Sequence, residues 1–265
     1  MTKAEMKKLQ RLLNKTGGLL VPDGLTGRQT KRAIADARRL AGLPVRGGAD
    51  DTLITWLKAY PDPSPDLPTE GVTAIARDEV GSRDYYEKMA AKPHWPGGDS
   101  GVTIGVGYDL RFSTRIFKTD WADKLTPEAF DALRRHLGKP GSKAKADKLS
   151  WIVMPWTTSW QVFIARSLPS YVKRTRRAFP GFDDLPGLCR SVLVSLVFNR
   201  GASMRDTRNQ NRLEMRNIRD HVASGNLAAV SDEILSMRRL WSNNTGLPAR
   251  REREAKMWKK GLRSR

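Results

Sequence analysis

Apolar residues recur along the first sixty positions at the three-and-four spacing of helices. Met6, Leu9, Leu12 and Leu13 make one stripe, which Gly17-Gly18 breaks; Ala33, Ile34, Ala37 and Leu40 make a second, starting near Thr26 and ended by Gly42. Leu53, Trp56 and Leu57 make a third behind Asp50, a residue type suited to capping a helix. None of these helices is long enough to stand alone, so the pattern predicts a three-helix bundle over residues 1–59. The next stretch carries Pro61, Pro63, Pro65 and Pro68, which excludes helix and predicts an extended linker over 60–69. Beyond it, Thr69 can cap a helix whose inward positions are Val72, Ile75 and Ala76. Val102, Ile104, Val106 and Tyr108 then alternate with Thr103, Gly105, Gly107 and Asp109, the period of a half-buried strand. Most of the remainder reads as helix, with a loop over Gly138 to Lys148. The fold class is mainly α (α+β), with one small β-sheet and a second domain over 70–265.

Composition narrows the function classes. The 265 residues hold 48 Lys plus Arg against 28 Asp plus Glu, a net charge of +20, with 39% hydrophobic residues. That apolar share supports a folded core, and the charge calls for a polyanionic partner: nucleic acid, an anionic envelope surface or an acidic wall polymer. A single cysteine, Cys189, cannot form an internal disulfide, and three scattered histidines offer no recognisable zinc constellation, so no metal or organic cofactor is expected. The first fifteen residues interleave Lys3, Lys7, Lys8 and Arg11 with their apolar positions, which gives no standard signal peptide, and no apolar run reaches membrane-spanning length.

Candidate chemistry gathers after residue 70. Extending the Val72 stripe by two turns reaches Glu79, which places a carboxylate on the inward face of its helix. A buried carboxyl tends to hold its proton and suits a general acid; the alternative is an ion pair with Arg77 or Arg83. Thr103 and Asp109 are small polar anchors on one strand face, separated by the bare backbone of Gly105 and Gly107. A straight strand would put them roughly 20 Å apart, so they serve one site only if the chain bends at one of those glycines. Gly98-Asp99-Ser100-Gly101 resembles a serine-protease signature, but its second glycine is replaced by Val102 and the chain lacks the strands of a double barrel. Cys189 lies in an apolar run and reads as a buried thiol.

Two resemblances follow from these motifs. The helix Lys7-Lys8-Leu9-Gln10-Arg11-Leu12-Leu13-Asn14, the turn Val21-Pro22-Asp23-Gly24-Leu25-Thr26-Gly27, and then Thr30 and Ala33 resemble the peptidoglycan-binding domain of cell-wall hydrolases, with Leu25 where that family carries an aromatic. The resemblance implies wall contacts from Asp23, Gly24, Gly27 and Thr30. Residues Glu79 to Asp109, with Ser100-Gly101-Val102-Thr103-Ile104-Gly105-Val106-Gly107-Tyr108-Asp109, resemble the catalytic segment of phage-type lysozymes, closest to their pesticin-like branch. Ser195-Leu196-Val197-Phe198-Asn199-Arg200-Gly201 and the stretch from Trp241 through Gly246-Leu247-Pro248-Ala249-Arg250-Arg251-Glu252-Arg253-Glu254 look like the later helices of those enzymes.

The resemblance implies a lysozyme-like domain that hydrolyses the β-1,4 bond between N-acetylmuramic acid and N-acetylglucosamine. Glu79 would be the acid, Asp109 and Thr103 would position and activate water, and Gly105, Gly107, Tyr108 and Asn199 would line the substrate. Asp99 is the rival second carboxylate. It further implies a monomeric endolysin made in the host cytoplasm, released to the cell wall by a holin-type route, whose partner is the peptidoglycan glycan strand. A lytic transglycosylase is the alternative enzyme, and a non-catalytic wall-binding or nucleic-acid-binding basic protein the alternative class. The basic stretch Arg250 to Arg265, with Met257, Trp258 and Leu262, reads either as a terminal helix with a solvated face or as an amphipathic cation for anionic envelope lipid.

Overall fold

The computed structural model describes residues 1–207, 210–241 and 246–264. It is mainly helical with one two-stranded antiparallel sheet, as the pattern predicts. The helices run α1 (Lys3–Lys15), α2 (Arg28–Leu40), α3 (Asp51–Ala59), α4 (Thr69–Val80), α5 (Arg83–Tyr85, continued by a π-helical turn over Tyr86–Ala90), α6 (Phe117–Trp121), α7 (Pro127–Arg134), α8 (Lys143–Asp147), α9 (Trp156–Val162), α10 (Leu168–Ala178), α11 (Gly187–Arg200), α12 (Leu213–Ser224), α13 (Val230–Ser236) and α14 (Gly246–Leu262). Strands β1 (Thr103–Ile104) and β2 (Tyr108–Asp109) lie between α5 and α6. No helix among the described residues is long and apolar enough to cross a membrane.

The first three helices form as their spacing predicts. Thr2 and Glu5 close a capping box at the start of α1, and the Asp50 side chain accepts the Leu53 N–H at the start of α3. Met6, Leu9, Leu13, Ala33, Ile34, Ala37, Leu53 and Leu57 share one core, to which Leu20 is added. Leu12 and Trp56 only flank it, and Leu40 is exposed. Buried Asn14 stitches the turn after α1: its Nδ2 donates to the Leu20 carbonyl at 3.0 Å and its Oδ1 accepts the Leu20 N–H at 2.7 Å.

The chain divides into two compact units, one of residues 1–63 and 76–168, the other of 64–75 and 169–265. The linker expected over 60–69 holds the first crossing between them, but the bundle over 1–59 is not a unit by itself. Within the first unit, Trp156 Nε1 donates to the Gly17 carbonyl at 3.0 Å and Arg77 Nη1 to the Leu19 carbonyl at 2.6 Å. Asp84 accepts from Arg28 and Arg32, and Arg83 reaches Asp36. Helical periodicity reports only which face is apolar; these ties are made by loop carbonyls and by charges on the polar faces, so the pattern could not reveal them.

The proline stretch is not a free spacer either. Pro63 and Leu67 are buried, and Ser64 Oγ accepts the N–H groups of Asp66 and Leu67. Lys15 Nζ donates to the Tyr60 carbonyl at 2.9 Å in the first unit, and Asp66 pairs with Arg176 at 2.7 Å in the second. The loop expected over Gly138 to Lys148 contains α8, which the Ser142 side chain caps by accepting the Lys145 N–H.

In the second unit α11, α12, α13 and α14 pack together. Cys189 is fully buried, as expected, and its thiol donates to the Trp258 carbonyl at 3.5 Å. The C-terminal stretch differs from the lipid-binding expectation. Trp258 is fully buried and donates to the Leu227 carbonyl at 2.8 Å, while Arg250, Arg251 and Glu254 lie within the core. Its exposed face, Arg253, Lys256, Lys259, Lys260 and Arg263, is cationic throughout, so the apolar half that membrane insertion needs is spent on packing. Arg265 lies outside the described residues, as do residues 242–245 of the closing motif.

Asn14→Ala removes both partners of Leu20 and strands two buried backbone groups, so we expect it to cost about 2–5 kcal/mol in urea unfolding at pH 7, with an unchanged denaturant slope.

Candidate functional site

The predicted strand over 102–108 is a tight hairpin. Thr103 pairs with Asp109 and Ile104 with Tyr108 across β1 and β2, and Gly105-Val106-Gly107 makes the turn. Gly105 and Gly107 have φ of +56° and +62°, a region that costs most side chains strain. Space at Gly105 is also tight, since a Cβ there would lie 3.2 Å from Ser159 Oγ and 3.3 Å from the Trp121 ring. The bend set as a condition for a shared site therefore occurs at both glycines, and it puts Thr103 directly opposite Asp109.

A second pairing extends this face. His94 and Thr103 form an antiparallel bridge, with His94 N–H to Thr103 carbonyl at 3.0 Å and the reverse bond at 2.8 Å. Since Thr103 spends both backbone groups on His94, its pairing with Asp109 is of the non-hydrogen-bonded kind, in which opposed side chains stand closest. His94, Thr103 and Asp109 thus stand in one row. The opposite alternation sends Val102, Ile104, Tyr108 and Leu110 into a core with Phe117, Trp121, Leu133 and Met154.

The Asp109 carboxylate is held in place by backbone. The Gly101 N–H donates to both of its oxygens at 3.0 Å, and the Arg111 N–H donates to Oδ1 at 2.8 Å. Gly101 cannot carry a side chain, because its Cβ would sit 2.5 Å from Asp109 Oδ1 and 2.7 Å from Arg111 N. Thr103 is 4% exposed, and its Oγ1 has no hydrogen-bond partner among the described residues. Asp99, the rival carboxylate, projects into solvent; Arg111 donates to its carbonyl and approaches its Oδ1 at 4.0 Å.

Glu79 is the penultimate residue of α4, which ends at Val80 and closes with the Gly81 N–H donating to the Arg77 carbonyl at 2.7 Å. It is half-buried rather than buried, since the apolar stripe of Val72, Ile75 and Ala76 meets the core one turn earlier. Arg83, one of the two bases weighed as its ion-pair partner, binds Asp36 at 2.9 Å and Glu87 at 3.2 Å. Glu79 belongs to the same compact unit as Thr103 and Asp109.

The other expected site residues separate. Tyr108 is a core residue, packed edge-on against Trp121 with its hydroxyl donating to Asp120 Oδ2 at 2.9 Å, so its ring does not line an open face. Burial pushes the Asp120 carboxyl above its usual range, and the Tyr108 hydroxyl offsets part of that shift. Asn199 lies in the second unit near the end of α11; its Oδ1 is buried with no hydrogen-bond partner among the described residues.

In the bundle, Asp23 Oδ1 accepts Gln10 Nε2 and the Leu25 N–H, both at 2.8 Å, and the Gly24 N–H donates to Gln10 Oε1 at 2.9 Å. Thr30 is buried, accepts from Gln10 and donates to the Leu25 carbonyl. Gly24 adopts a φ of +83°, where a Cβ would strike Lys3, and Gly27 is the N-cap residue of α2. The expected wall-contact motif is therefore a turn built around the Gln10 amide, which leaves Val21 and Leu25 as its exposed apolar side chains.

His94 is the residue that sequence reasoning missed, because its bridge to Thr103 spans a segment with no strand periodicity. Among the described residues, no three His, Cys, Asp or Glu side chains come together as a metal-binding group. No family model matches the chain, and no curated protein matches it.

Burial holds the His94 imidazole below its usual value, opposed in part by the Lys92 carbonyl. The folded state therefore favours neutral His94, and that stability is present above the unfolded value of about 6.5 and is lost as pH falls through the folded one. His94→Gln should flatten the decline of the unfolding midpoint between pH 7 and pH 5 relative to the native chain, read by thermal unfolding at a series of pH values.

Proposed function

We propose that the protein is a muramidase that hydrolyses the β-1,4 bond between N-acetylmuramic acid and N-acetylglucosamine. The observation that carries the reading is the hairpin, which stands a buried, unpartnered Thr103 hydroxyl directly across from a backbone-anchored Asp109 carboxylate. A carboxylate offers about four lone-pair sites, and the Gly101 and Arg111 N–H groups do not use all of them. One Asp109 oxygen and the Thr103 hydroxyl can then orient a single water, while Glu79 protonates the departing glycosidic oxygen from the other side of the sugar. That division of labour inverts the anomeric carbon and requires carboxylates far enough apart to admit the water. Gly105 and Gly107 serve this arrangement by making the turn that brings Thr103 opposite Asp109.

Asp99 is the weaker second carboxylate, because its side chain projects into solvent with only a long approach from Arg111. The same arrangement favours hydrolysis over lytic transglycosylation, which uses one acid and no water. The target is the peptidoglycan glycan strand, and the charge of +20 draws the chain to anionic envelope material. Host lysis by a monomeric endolysin, released from the cytoplasm to the wall, is the biological role that fits this chemistry.

Glu79→Gln and Asp109→Asn should each lower murein turnover by at least about a hundredfold, the scale of general acid–base catalysis, whereas Asp99→Asn should retain it. Mass spectrometry of the digest should find reducing muramic ends; anhydro ends, with activity surviving in Asp109→Asn, would establish the transglycosylase, and uncut glycan a binding protein.

Screening shortens the reach of charge from about 10 Å at 0.1 M salt to about 3 Å at 1 M. Turbidity clearing of outer-membrane-stripped cells should therefore fall with salt much more steeply than cleavage of short soluble neutral glycan fragments.

A further inference from the structure

Arginines outnumber acids around the C-terminal end of α11. Among the described residues, Arg200, Arg212, Arg239, Arg250 and Arg251 meet two buried carboxylates, Glu214 and Glu254. Glu254 pairs with Arg250 at 3.3 Å and Arg251 at 2.7 Å, and Glu214 pairs with Arg239 through Oε1 at 2.6 Å while its charge also favours the Arg200 cation. Arg200 donates to the Asn211 carbonyl, which fixes its guanidinium against the residue preceding Arg212, and it stacks over Trp241 with 5.0 Å to the ring centre.

The acid whose charge favours the Arg212 cation is Asp206, and it is committed elsewhere. Asp206 accepts its backbone N–H and pairs with Arg216 at 2.9 Å, and the Nε and Nη1 of Arg212 and the Nε of Arg200 are shielded from water without a hydrogen-bond partner among the described residues. Burial and the neighbouring guanidiniums, Arg212 first among them, push Arg200 down to about 10. Buried guanidinium N–H groups left without an acceptor are costly, and two neighbouring guanidiniums can share the oxygens of one carboxylate or phosphate.

We infer that Arg200 and Arg212 form an oxyanion-binding site that takes a carboxylate of the murein stem peptide. The choice of carboxylate rests on the muramidase reading above, since the glycan of murein is uncharged where its lactyl groups are amide-linked and its acidic groups lie on the stems. The site would hold peptide-bearing strands in preference to naked glycan, and Arg212 is the residue whose charge the ligand completes.

The test uses the full-length protein and reads binding without turnover. Calorimetric titration with the tripeptide L-Ala-γ-D-Glu-diaminopimelate is compared with inorganic phosphate, for the native chain, Arg212→Gln and Arg212→Lys. We expect the tripeptide to bind, Arg212→Gln to weaken it roughly tenfold or more, and Arg212→Lys to recover part of the loss. In anion-free buffer Arg212→Gln should melt no lower than the native chain, because it removes a buried charge, and the tripeptide should raise the melting temperature most for the native chain, less for Arg212→Lys and least for Arg212→Gln.

Phosphate binding as tightly as the tripeptide would overturn the stem-peptide assignment. Binding of neither anion, affinity indifferent to Arg212, or a variant that melts well below the native chain would overturn the site itself. A protein that binds the tripeptide yet leaves murein glycan uncut would sink the muramidase reading and leave the oxyanion site standing; one that cuts murein but binds no anion would do the reverse.

Discussion

The arrangement at the candidate site depends on one cross-strand contact, the pairing of Thr103 with Asp109. It exists because the two glycines of the turn accept positive φ, and because Gly101 lets the Asp109 carboxylate settle on its N–H. Strand alternation then does two jobs at once. Val102, Ile104, Tyr108 and Leu110 enter the core and anchor the hairpin, while Thr103 and Asp109 remain on the face that core does not use. Two strands of two residues would not persist in water without that apolar anchorage.

Polar side chains elsewhere hold backbone more than they offer themselves to ligands. The Gln10 amide organises the turn at Asp23, Gly24 and Thr30, and Asn14 closes the turn at Leu20. In the second unit, Glu254 is fastened by Ser195 at 2.6 Å and by two arginines, which satisfies a carboxylate that would otherwise be costly to bury. The Thr103 hydroxyl and the Nε and Nη1 of Arg212 are among the buried polar atoms that the described fold leaves without hydrogen-bond partners.

Much of the architecture was legible in the chain. The three stripes of the bundle, the Asp50 cap, the buried Cys189 and the inward run of Val72, Ile75 and Ala76 all follow from local periodicity and capping chemistry. The candidate pair Thr103 and Asp109 was legible too, since alternation with glycines confines both to one strand face and makes a bend the condition for their meeting.

Other features required the tertiary structure, because they join residues distant in sequence through groups that carry no pattern. Backbone carbonyls and charged polar faces tie the bundle to residues 76–168, which no hydropathy period can report. The bridge of His94 to Thr103, the burial of Tyr108 against Trp121 and Asp120, and the inward turn of Trp258 in a helix that reads as basic and amphipathic were likewise settled only by packing. Sequence determined which faces were apolar and which residues could turn; the fold decided what each face met, because a side chain's role depends on the neighbour that long-range packing brings to it.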